Sequence, residues 1–553
     1  MESSEEADKT VVQEFTYLLE KSKQLFSGIR DLPQFGRKHW PGYFARTFDV
    51  YTRLWKFQQK HRKVLDEKFG LKRWQIGELA SKIGQLYYQY YMRTCESGYL
   101  HESFSFYEAV RTRAYYSDVM REERDDLAVK RLRYYARFIV VCLLLHKDNL
   151  MAELIKELRE LVEVYVTKFG PSDAEEWYLV LKEVAAFVEA NKIVSVMGER
   201  SRPICLSHRL ASRYETLEAV RSLRVSSERD MVKLQQALVI GLTTKQVKFS
   251  ELTLDMFRML ECLEREPEPG AIDQDDADES MGSDDGSSKD RSGNPNKYLL
   301  YRPSVYQIMT YLSSGIKDLP NNSAMLLYLS GEGITASMDK KAGPYQRGGI
   351  ATKGGNAMKS NQTEHQGVYP EDVLPFTRKP LMVVVDSSNS EAFMSLRSPF
   401  GQPLVCLLSP QNIPPTFTDP SVGGLLTLFL HNPLVAFCCV CGVSEVEKSV
   451  WTQCRSHVEK FCIEVTELMQ AVATDTSYLV LMEDDFLRLF IQRYIFMCYV
   501  LSGHKDFQED GCIPQCVPPL PQEDVLQSHA LFGLILDLAG MLNATSLFNT
   551  SDK

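Results

Sequence analysis

The stretch LMVVVDSSNS (residues 381–390) places five apolar residues directly before an aspartate and a row of serines. A short run that is apolar throughout is typical of a strand buried on both faces of a parallel sheet. The polar residues after it raise a question about Asp386, Ser388 and Ser390. They are either oxygen ligands on a metal-binding loop or the polar turn that any buried strand requires.

Comparable runs lie on either side of this strand. AMLLYLS (324–330) precedes it, and another apolar run covers residues 403–408. Further β-rich runs occur earlier in the chain, at 192–197, 202–207 and 236–242. Helical patterns alternate with these runs, at residues 250–266, 303–318, 421–431, 433–442, 445–472, 483–502 and 523–541. This alternation predicts an α/β domain with a mainly parallel sheet.

The first 190 residues have a different pattern, in which apolar residues recur at helical spacing. The predicted helices cover residues 11–29, 48–70, 73–94, 100–116, 126–146, 150–170 and 173–190. Short polar turns join them, as in helical-repeat proteins, and Gly84 leaves room for close helix contact. The predicted fold class is therefore α+β and multidomain, with an N-terminal all-α, tetratricopeptide-like half followed by the α/β domain.

These patterns predict a disordered tail over 1–10, a helical-repeat domain over 11–190 and an α/β domain in two parts, 191–266 and 297–545. An acidic insert separates the two parts at 267–296. It is predicted to be disordered because it has no apolar surface to offset the entropy lost on ordering. A second insert, rich in glycine and predicted to be flexible, covers 331–369.

The 553-residue chain has a formal net charge of −10, and an acidic stretch between Glu266 and Arg291 accounts for most of it. The folded parts are therefore nearly neutral, which does not favour nucleic-acid steering. MESSEEADKT (1–10) matches neither a secretory signal nor a transit peptide, and the longest apolar runs are shorter than the ~20 residues that a bilayer requires. The 13 cysteines have apolar neighbours, which predicts reduced thiols in an intracellular soluble protein.

The Asp-x-Ser-x-Ser motif at Asp386, Ser388 and Ser390 matches the first half of a metal-ion-dependent adhesion motif, in which oxygen ligands hold Mg²⁺. A complete site also needs a threonine and an aspartate from later loops. The next strand begins only about 17 residues on, and LLSPQN (407–412) after it supplies no acid. The simpler interpretation, in which Asp386 and Ser388 cap backbone amides, is favoured. No metal and no other cofactor is predicted.

Catalytic motifs are missing from the sequence. It has no G-x-S-x-G, no H-E-x-x-H, no phosphate-binding glycine pattern and no kinase signature. Cys438, Cys439 and Cys441 lack the paired spacing of a metal site and are predicted to be core residues. The sequence therefore predicts a protein that is not an enzyme and that has no deep cleft of converging polar side chains.

The remaining signal is a basic cluster among the aromatic residues of the fourth and fifth predicted helices. Its candidate contact residues are Arg111, Arg113, Lys130, Arg131, Arg133 and Arg137. Phosphate contacts and stacking on the neighbouring tyrosines could bind single-stranded nucleic acid. Acidic residues are interleaved at 122, 123, 125 and 126, and an ion-paired, solvated helix face is the favoured interpretation.

Several long runs resemble the SCAI (suppressor of cancer cell invasion) family. They are SKQLFSGIRDLPQFG (22–36), FARTFDVYTRLWKFQQKHRKVLD (44–66), GLKRWQIGELASKIGQLYY (70–88), RLRYYARFIVVCLLL (131–145), VKFSELTLDMFRMLECLEREP (247–267), LPFTRKPLMVVVDSSNS (374–390) and FGQPLVCLLSP (400–410). The similarity covers nearly the whole chain. It is weaker over 195–235, in both inserts and towards the C-terminus.

The resemblance implies a nuclear co-regulator, with the cytoplasm as a second location. It implies repression of transcription driven by myocardin-related transcription factors with serum response factor. It also implies a role in double-strand-break and replication-stress repair, through DNA-repair mediators and translesion polymerase zeta. No catalytic residue comes with the family.

The leading hypothesis is therefore a protein-binding scaffold whose acidic insert is tuned by phosphorylation at Ser283, Ser287 or Ser288. Two alternatives stay open. One is a nucleic-acid binding module at the basic cluster, and the other is a metal-dependent binding module at Asp386.

Overall fold

The computed structural model describes residues 2–33, 35–36, 40–117, 119, 124–198, 209–210, 231–266, 293–335, 346–352, 367–417, 421–472 and 475–549. The predicted strand at 202–207, nearly all of the acidic insert with its three serines, and much of the Gly-rich insert lie outside these residues. The chain divides into two compact units. Unit 1 comprises Met1–Leu181 with Arg265–Asn294, and unit 2 comprises Lys182–Glu264 with Pro295–Lys553.

Unit 1 is built from helices over its described residues up to Leu181. Its helices are α1 (Glu2–Gly28), α2 (Pro41–Lys60), α3 (Arg62–Val64), α4 (Arg73–Thr94), α5 (Ser97–Thr112), α6 (Asp125–Leu144) and α7 (Asp148–Phe169), and α8 (Ala174–Asn191) continues past Leu181. Helix α1 starts at Glu2, within the segment predicted as a tail. Acidic residues at the start of a helix interact favourably with its dipole, which explains why this polar segment is helical.

Apolar and aromatic side chains hold unit 1 together. One core cluster contains Phe44, Phe48, Leu54, Ile83 and Leu86, each of them buried. Gly84 permits close contact between α4 and α5, since a Cβ there would lie 3.1 Å from the Tyr107 ring. The Ser103 hydroxyl donates to the Gly84 carbonyl at 2.8 Å, which fastens the two helices at this point.

Unit 2 combines a sheet with helices on its faces. Its strands are β1 (Ser195–Met197), β2 (Lys233–Gly241), β3 (Lys248–Phe249), β4 (Leu252–Thr253), β5 (Asn296–Tyr301), β6 (Ser323–Gly331), β7 (Gly333–Ile334), β8 (Gly349–Ala351), β9 (Gly367–Val368), β10 (Leu381–Ser387), β11 (Leu404–Leu408), β12 (Glu445–Glu447) and β13 (Cys516–Val517). Its helices after α8 are α9 (Leu254–Cys262), α10 (Val305–Asp318), α11 (Pro370–Val373), α12 (Leu425–His431), α13 (Pro433–Val440), α14 (Lys448–Ala471), α15 (Thr476–Leu481), α16 (Asp485–Gly503) and α17 (His529–Met541).

The main sheet has the strand order β13-β11-β10-β6-β2-β5. Neighbouring strands in it are parallel except for β13, which is antiparallel to β11. The predicted fold class, a helical N-terminal half and a mainly parallel sheet in the C-terminal part, is confirmed. One predicted strand lies elsewhere, because β1 pairs with β12 outside the main sheet.

The central strands are buried on both faces. The apolar run LMVVV (381–385) forms most of β10, and all five of its side chains are fully buried. Alternate residues along it join different cores: Met382 and Val384 face the cluster that includes α12–α17, while Val383 and Val385 face the cluster that includes α10. Burial on both faces is why this strand is a continuous apolar run.

The path of the chain through the sheet creates a switch point between β2 and β6. From β2 the chain passes to β5 on one side, and then to β6 on the other side of β2. In open α/β sheets, ligands bind outside the carboxyl ends of the strands at such a point. No helix of the described residues is long and apolar enough to cross a membrane.

Candidate functional site

Asp386 lies at the carboxyl end of β10 and caps a helix. Its Oδ2 accepts hydrogen bonds from the Thr427 backbone amide at 3.1 Å and from the Thr427 hydroxyl at 2.7 Å. Thr427 belongs to the first turn of α12, where backbone amides have no partner within the helix. The Asp386 side chain therefore caps the start of α12.

The two serines of the motif contact other groups. The Ser388 hydroxyl accepts from the Gly333 amide at 3.1 Å. The buried Ser390 hydroxyl donates to the Ser409 carbonyl at 2.8 Å and accepts from Gln411 Nε2 at 2.6 Å. Asp386, Ser388 and Ser390 thus have separate partners, as in the capping-turn interpretation. Within the described ranges, no group of three or more His, Cys, Asp or Glu side chains could hold a metal ion.

A second carboxylate, which the sequence did not single out, faces Asp386. Asp255 in α9 is buried and accepts from the Gly424 amide at 3.0 Å and from the Ser330 hydroxyl at 3.2 Å. Burial, and after it the neighbouring Asp255 carboxylate, raises the pKa of Asp386 to about 7. Two acids that share a poorly solvated site cannot both ionise at their ordinary pKa.

Helix α9 contains a pattern of buried charged residues that was not identified from the sequence. All nine of its residues are buried, including Asp255, Arg258 and Glu261. Glu261 contacts His431 Nε2 at 2.8 Å, and Arg258 Nη1 donates to the Val422 carbonyl. Charged residues at every third position of an otherwise apolar helix indicate a polar network inside the protein, and this spacing is visible in the sequence.

The two aspartates line a cleft of about 620 Å³ at the carboxyl edge of the main sheet. We call it the acidic cleft. Strands β6, β10 and β11 contribute side chains at or just after their ends, and the loops after β2 and before α12 complete the wall. The polar lining residues are Thr243, Lys245, Gln246, Asp255, Ser330, Glu332, Asp386, Ser387, Ser388, Ser409, Gln411, Asn412, Asp506 and Glu509. The prediction that the chain has no cleft of converging polar side chains is therefore wrong, because residues far apart in sequence meet at the ends of adjacent strands.

Gly424, the residue directly before α12, lies against both carboxylates. A Cβ at this position would overlap Asp386 Oδ2 and would lie 3.1 Å from Asp255 Oδ2. We expect Gly424→Ala to destabilise unit 2 by about 1–2 kcal/mol, because the added methyl displaces a capping carboxylate. Thermal unfolding followed by calorimetry measures this effect. Gly533→Ala is the matched control, since a Cβ at Gly533 meets no atom within 4 Å; equal effects of the two changes would contradict the prediction.

The structure divides the basic cluster of unit 1 into paired and unpaired residues. Arg111 contacts Glu153 at 2.8 Å and Glu157 at 2.6 Å, and Lys130 contacts Glu78 at 3.1 Å. These pairs agree with the ion-paired interpretation of the cluster. Other members have different surroundings: Arg113 donates to the Tyr115 hydroxyl at 3.3 Å, and the half-buried Arg131 lies on α6.

Arg133 and Arg137 differ from the paired residues. Neither has an acidic partner in the part of unit 1 that the structure describes. Burial, and the nearby Arg133 and Arg30 guanidinium groups, lower the pKa of Arg137. Lys82 on α4 lies close to the same charges, and its pKa is lowered by burial and by Arg137, although Glu78 opposes the shift. These cations lie near each other, and Glu78, the acidic residue that acts on Lys82, also contacts Lys130.

Comparison with known proteins supports one family over nearly the whole chain. The family model described as Protein SCAI matches residues 17–507. Protein SCAI of Homo sapiens is 46% identical over 570 residues, which cover 99% of this chain and 91% of the relative. Protein SCAI of Mus musculus is 46% identical over 564 residues, covering 98% and 90%.

A more distant relative shares the same extent. The Protein SCAI homolog of Dictyostelium discoideum is 32% identical over 706 residues, covering 97% of this chain and 91% of the relative. No solved structure matches the chain. The resemblance seen in the sequence is confirmed, and the chain belongs to the SCAI family.

Proposed function

We propose that this protein is a nuclear co-regulator that acts by binding other macromolecules and not by catalysis. Family membership along almost the full length of the chain is the observation that carries the proposal. The relatives that are named Protein SCAI are matched over both units, so the proposed role concerns the whole chain. The resemblance to this family implies a regulatory role and brings no catalytic residue with it.

The finer role that we propose is the one the family resemblance implies. The chain represses transcription driven by myocardin-related transcription factors with serum response factor. It also acts with DNA-repair mediators and translesion polymerase zeta at double-strand breaks and stalled replication. Its proposed location is the nucleus, with a share in the cytoplasm.

A reporter assay tests the transcriptional role. Cells that lack their own SCAI protein receive the full chain together with a reporter controlled by serum response factor and a myocardin-related coactivator. We expect the chain to lower reporter output severalfold. A reporter with mutated binding sites for serum response factor is the control, and equal repression of both reporters would contradict a specific role.

Direct binding of single-stranded nucleic acid is the second candidate function. Arg133 and Arg137, which have no acidic partner among the described residues of unit 1, favour it. Replacing both with Glu will weaken binding of a single-stranded oligonucleotide at least tenfold and will lower its salt dependence, because two phosphate contacts are lost. Fluorescence anisotropy at several salt concentrations measures both quantities. Arg455→Glu, which changes an exposed arginine of α14, is the control, and an unchanged salt slope in the double variant would exclude this site.

A further inference from the structure

We propose that the acidic cleft of unit 2 is a docking site for a basic segment of a partner protein, with an arginine or lysine side chain bound against Asp386. The proposal specifies a class of partner for the binding role proposed above and therefore rests on it. The cleft itself, however, can be tested without any knowledge of the natural partner.

The position of the cleft supports a binding role. It lies outside the carboxyl ends of β2, β6 and β10, at the switch point of the sheet, where open α/β sheets bind ligands. Its volume of about 620 Å³ is within the usual range for binding sites of this kind. The wall is built from seven separate segments of unit 2, so its shape depends on the fold and not on one mobile loop.

The charge of the lining residues indicates a cationic occupant. Five carboxylates line the cleft, from Asp255, Glu332, Asp386, Asp506 and Glu509. Among the described lining residues, Lys245 is the only cation, and it is already 3.1 Å from Glu332. A cleft lined by one sign of charge attracts and orients ligands of the opposite sign.

One carboxylate oxygen of the cleft has no hydrogen-bond donor among the described residues and could bind the occupant. The half-buried Asp386 uses Oδ2 for both of its hydrogen bonds to Thr427, and its Oδ1 accepts no hydrogen bond from the described part of the chain. Asp386 also has no ion pair there with a lysine or an arginine; the buried Arg258, which acts on it electrostatically, contacts Asp255 at 3.9 Å. A charged N–H donor at Oδ1 would supply a direct counter-charge in a partly desolvated site.

The same geometry disfavours other ligands. A hard metal cation needs several oxygen ligands, whereas Asp255 is committed to the Gly424 amide and the Ser330 hydroxyl. An anion such as phosphate would meet the excess of carboxylates. The amides at the start of α12 are not available to it either, because the two aspartates already accept from Gly424 and Thr427.

Peptide binding to the full-length chain tests the proposal. The probe is a fluorescein-labelled peptide of alternating glycine and arginine, and its counterpart contains citrulline, which has the shape of arginine without the charge. Anisotropy is measured at ionic strength near 0.15 M, where attraction between distant charges is screened. We expect the arginine peptide to bind and the citrulline peptide to bind at least tenfold more weakly.

Variants locate the binding site. Asp386→Asn keeps the shape of the side chain and is expected to weaken binding of the arginine peptide at least tenfold. Glu509→Gln, at the exposed rim of the cleft, is expected to weaken it two- to threefold. Glu467→Gln removes the same charge from the exposed face of α14 and should leave the affinity unchanged. Circular dichroism and the midpoint of thermal unfolding show whether each variant is folded.

The outcomes separate the cleft from the wider proposal. Equal affinity of the wild type and folded Asp386→Asn, or stronger binding of Mg²⁺ alone than of the peptide, would overturn the docking site. Neither result bears on reporter repression. Conversely, a wild-type chain that binds the arginine peptide but does not repress the reporter would count against the regulatory role. The docking site in the cleft would stand.

Discussion

Glu264→Gln will destabilise unit 2 by about 3–5 kcal/mol. Glu264 is fully buried and contacts Arg209 Nε at 2.8 Å and Lys297 Nζ at 3.1 Å, and both cationic side chains are at most 3% exposed. Removing the charge of the glutamate takes away the carboxylate that contacts both buried cations, and breaking a buried pair in this way costs several kcal/mol. Scanning calorimetry of the full chain measures the effect as a lower midpoint for the transition of this unit.

A surface pair provides the control for this prediction. Arg455 lies 3.5 Å from Glu459, with side chains that are 70% and 63% exposed. We expect Glu459→Gln to change stability by less than about 0.5 kcal/mol, since exposed pairs contribute little. Adding Lys297→Met to Glu264→Gln should restore part of the loss. A cost below about 1 kcal/mol for Glu264→Gln would show that the three groups are not buried together.

Asp386→Asn will have the opposite effect, raising the stability of unit 2 at pH 8 and changing it little near pH 4. The ordinary aspartate pKa is 3.8, and in the folded chain that of Asp386 is raised to about 7, first by burial and then by Asp255. Between these values the folded state keeps a proton that the unfolded state has released. Wild-type stability contributed by this group therefore falls as pH rises through this window, and the loss is complete above about pH 7.

The expected size of this effect is about 2–3 kcal/mol at pH 8. One pKa unit corresponds to about 1.4 kcal/mol, which sets an upper bound of about 4 kcal/mol, and partial exposure of Asp386 reduces it. The asparagine side chain of the variant would still accept the two Thr427 hydrogen bonds through its amide oxygen. Thermal midpoints of both proteins from pH 4 to pH 8 measure the difference. A variant that is destabilised equally at every pH would contradict the prediction.

These two predictions concern different classes of buried charge. Glu264 has cationic partners, and its removal exposes their burial cost. Asp386 has no direct cationic partner among the described residues. Burial and the Asp255 carboxylate outweigh the nearby Arg258, so its ionisation opposes folding. A side chain in a cleft that lowers stability is typical of binding and catalytic sites, and this agrees with the docking site that the geometry of the cleft places at Asp386.

Much of the fold was predictable from local patterns. Strand β10 was identified by its apolar run because both of its faces are buried, and α14 and α16 were placed within a few residues. The structure differs from the prediction where pairing with a distant segment determines the secondary structure. The first residues of the helix predicted at 445–472 instead form β12, because Ser195 to Met197 pair with them.

The site was only partly predictable. The motif at Asp386 marked the correct edge of the sheet, since a polar turn must follow a buried strand. The sequence could not show that Asp255 faces it, because the two residues are brought together only by the packing of α9 and α12. The basic cluster shows the same limit: Arg111 is neutralised by Glu153 and Glu157 on α7, and its distance from them in sequence hides the pairing.

Recovery of partners from nuclear extract tests the binding role most directly. The full chain, immobilised through a terminal tag, is incubated with extract treated with nuclease, and the retained proteins are identified by mass spectrometry against a tag-only control. We expect enrichment of transcription or DNA-repair factors, and we expect Asp386→Asn to lose a subset that carries basic segments. Retention of no such factor would contradict a regulator that works through its partners.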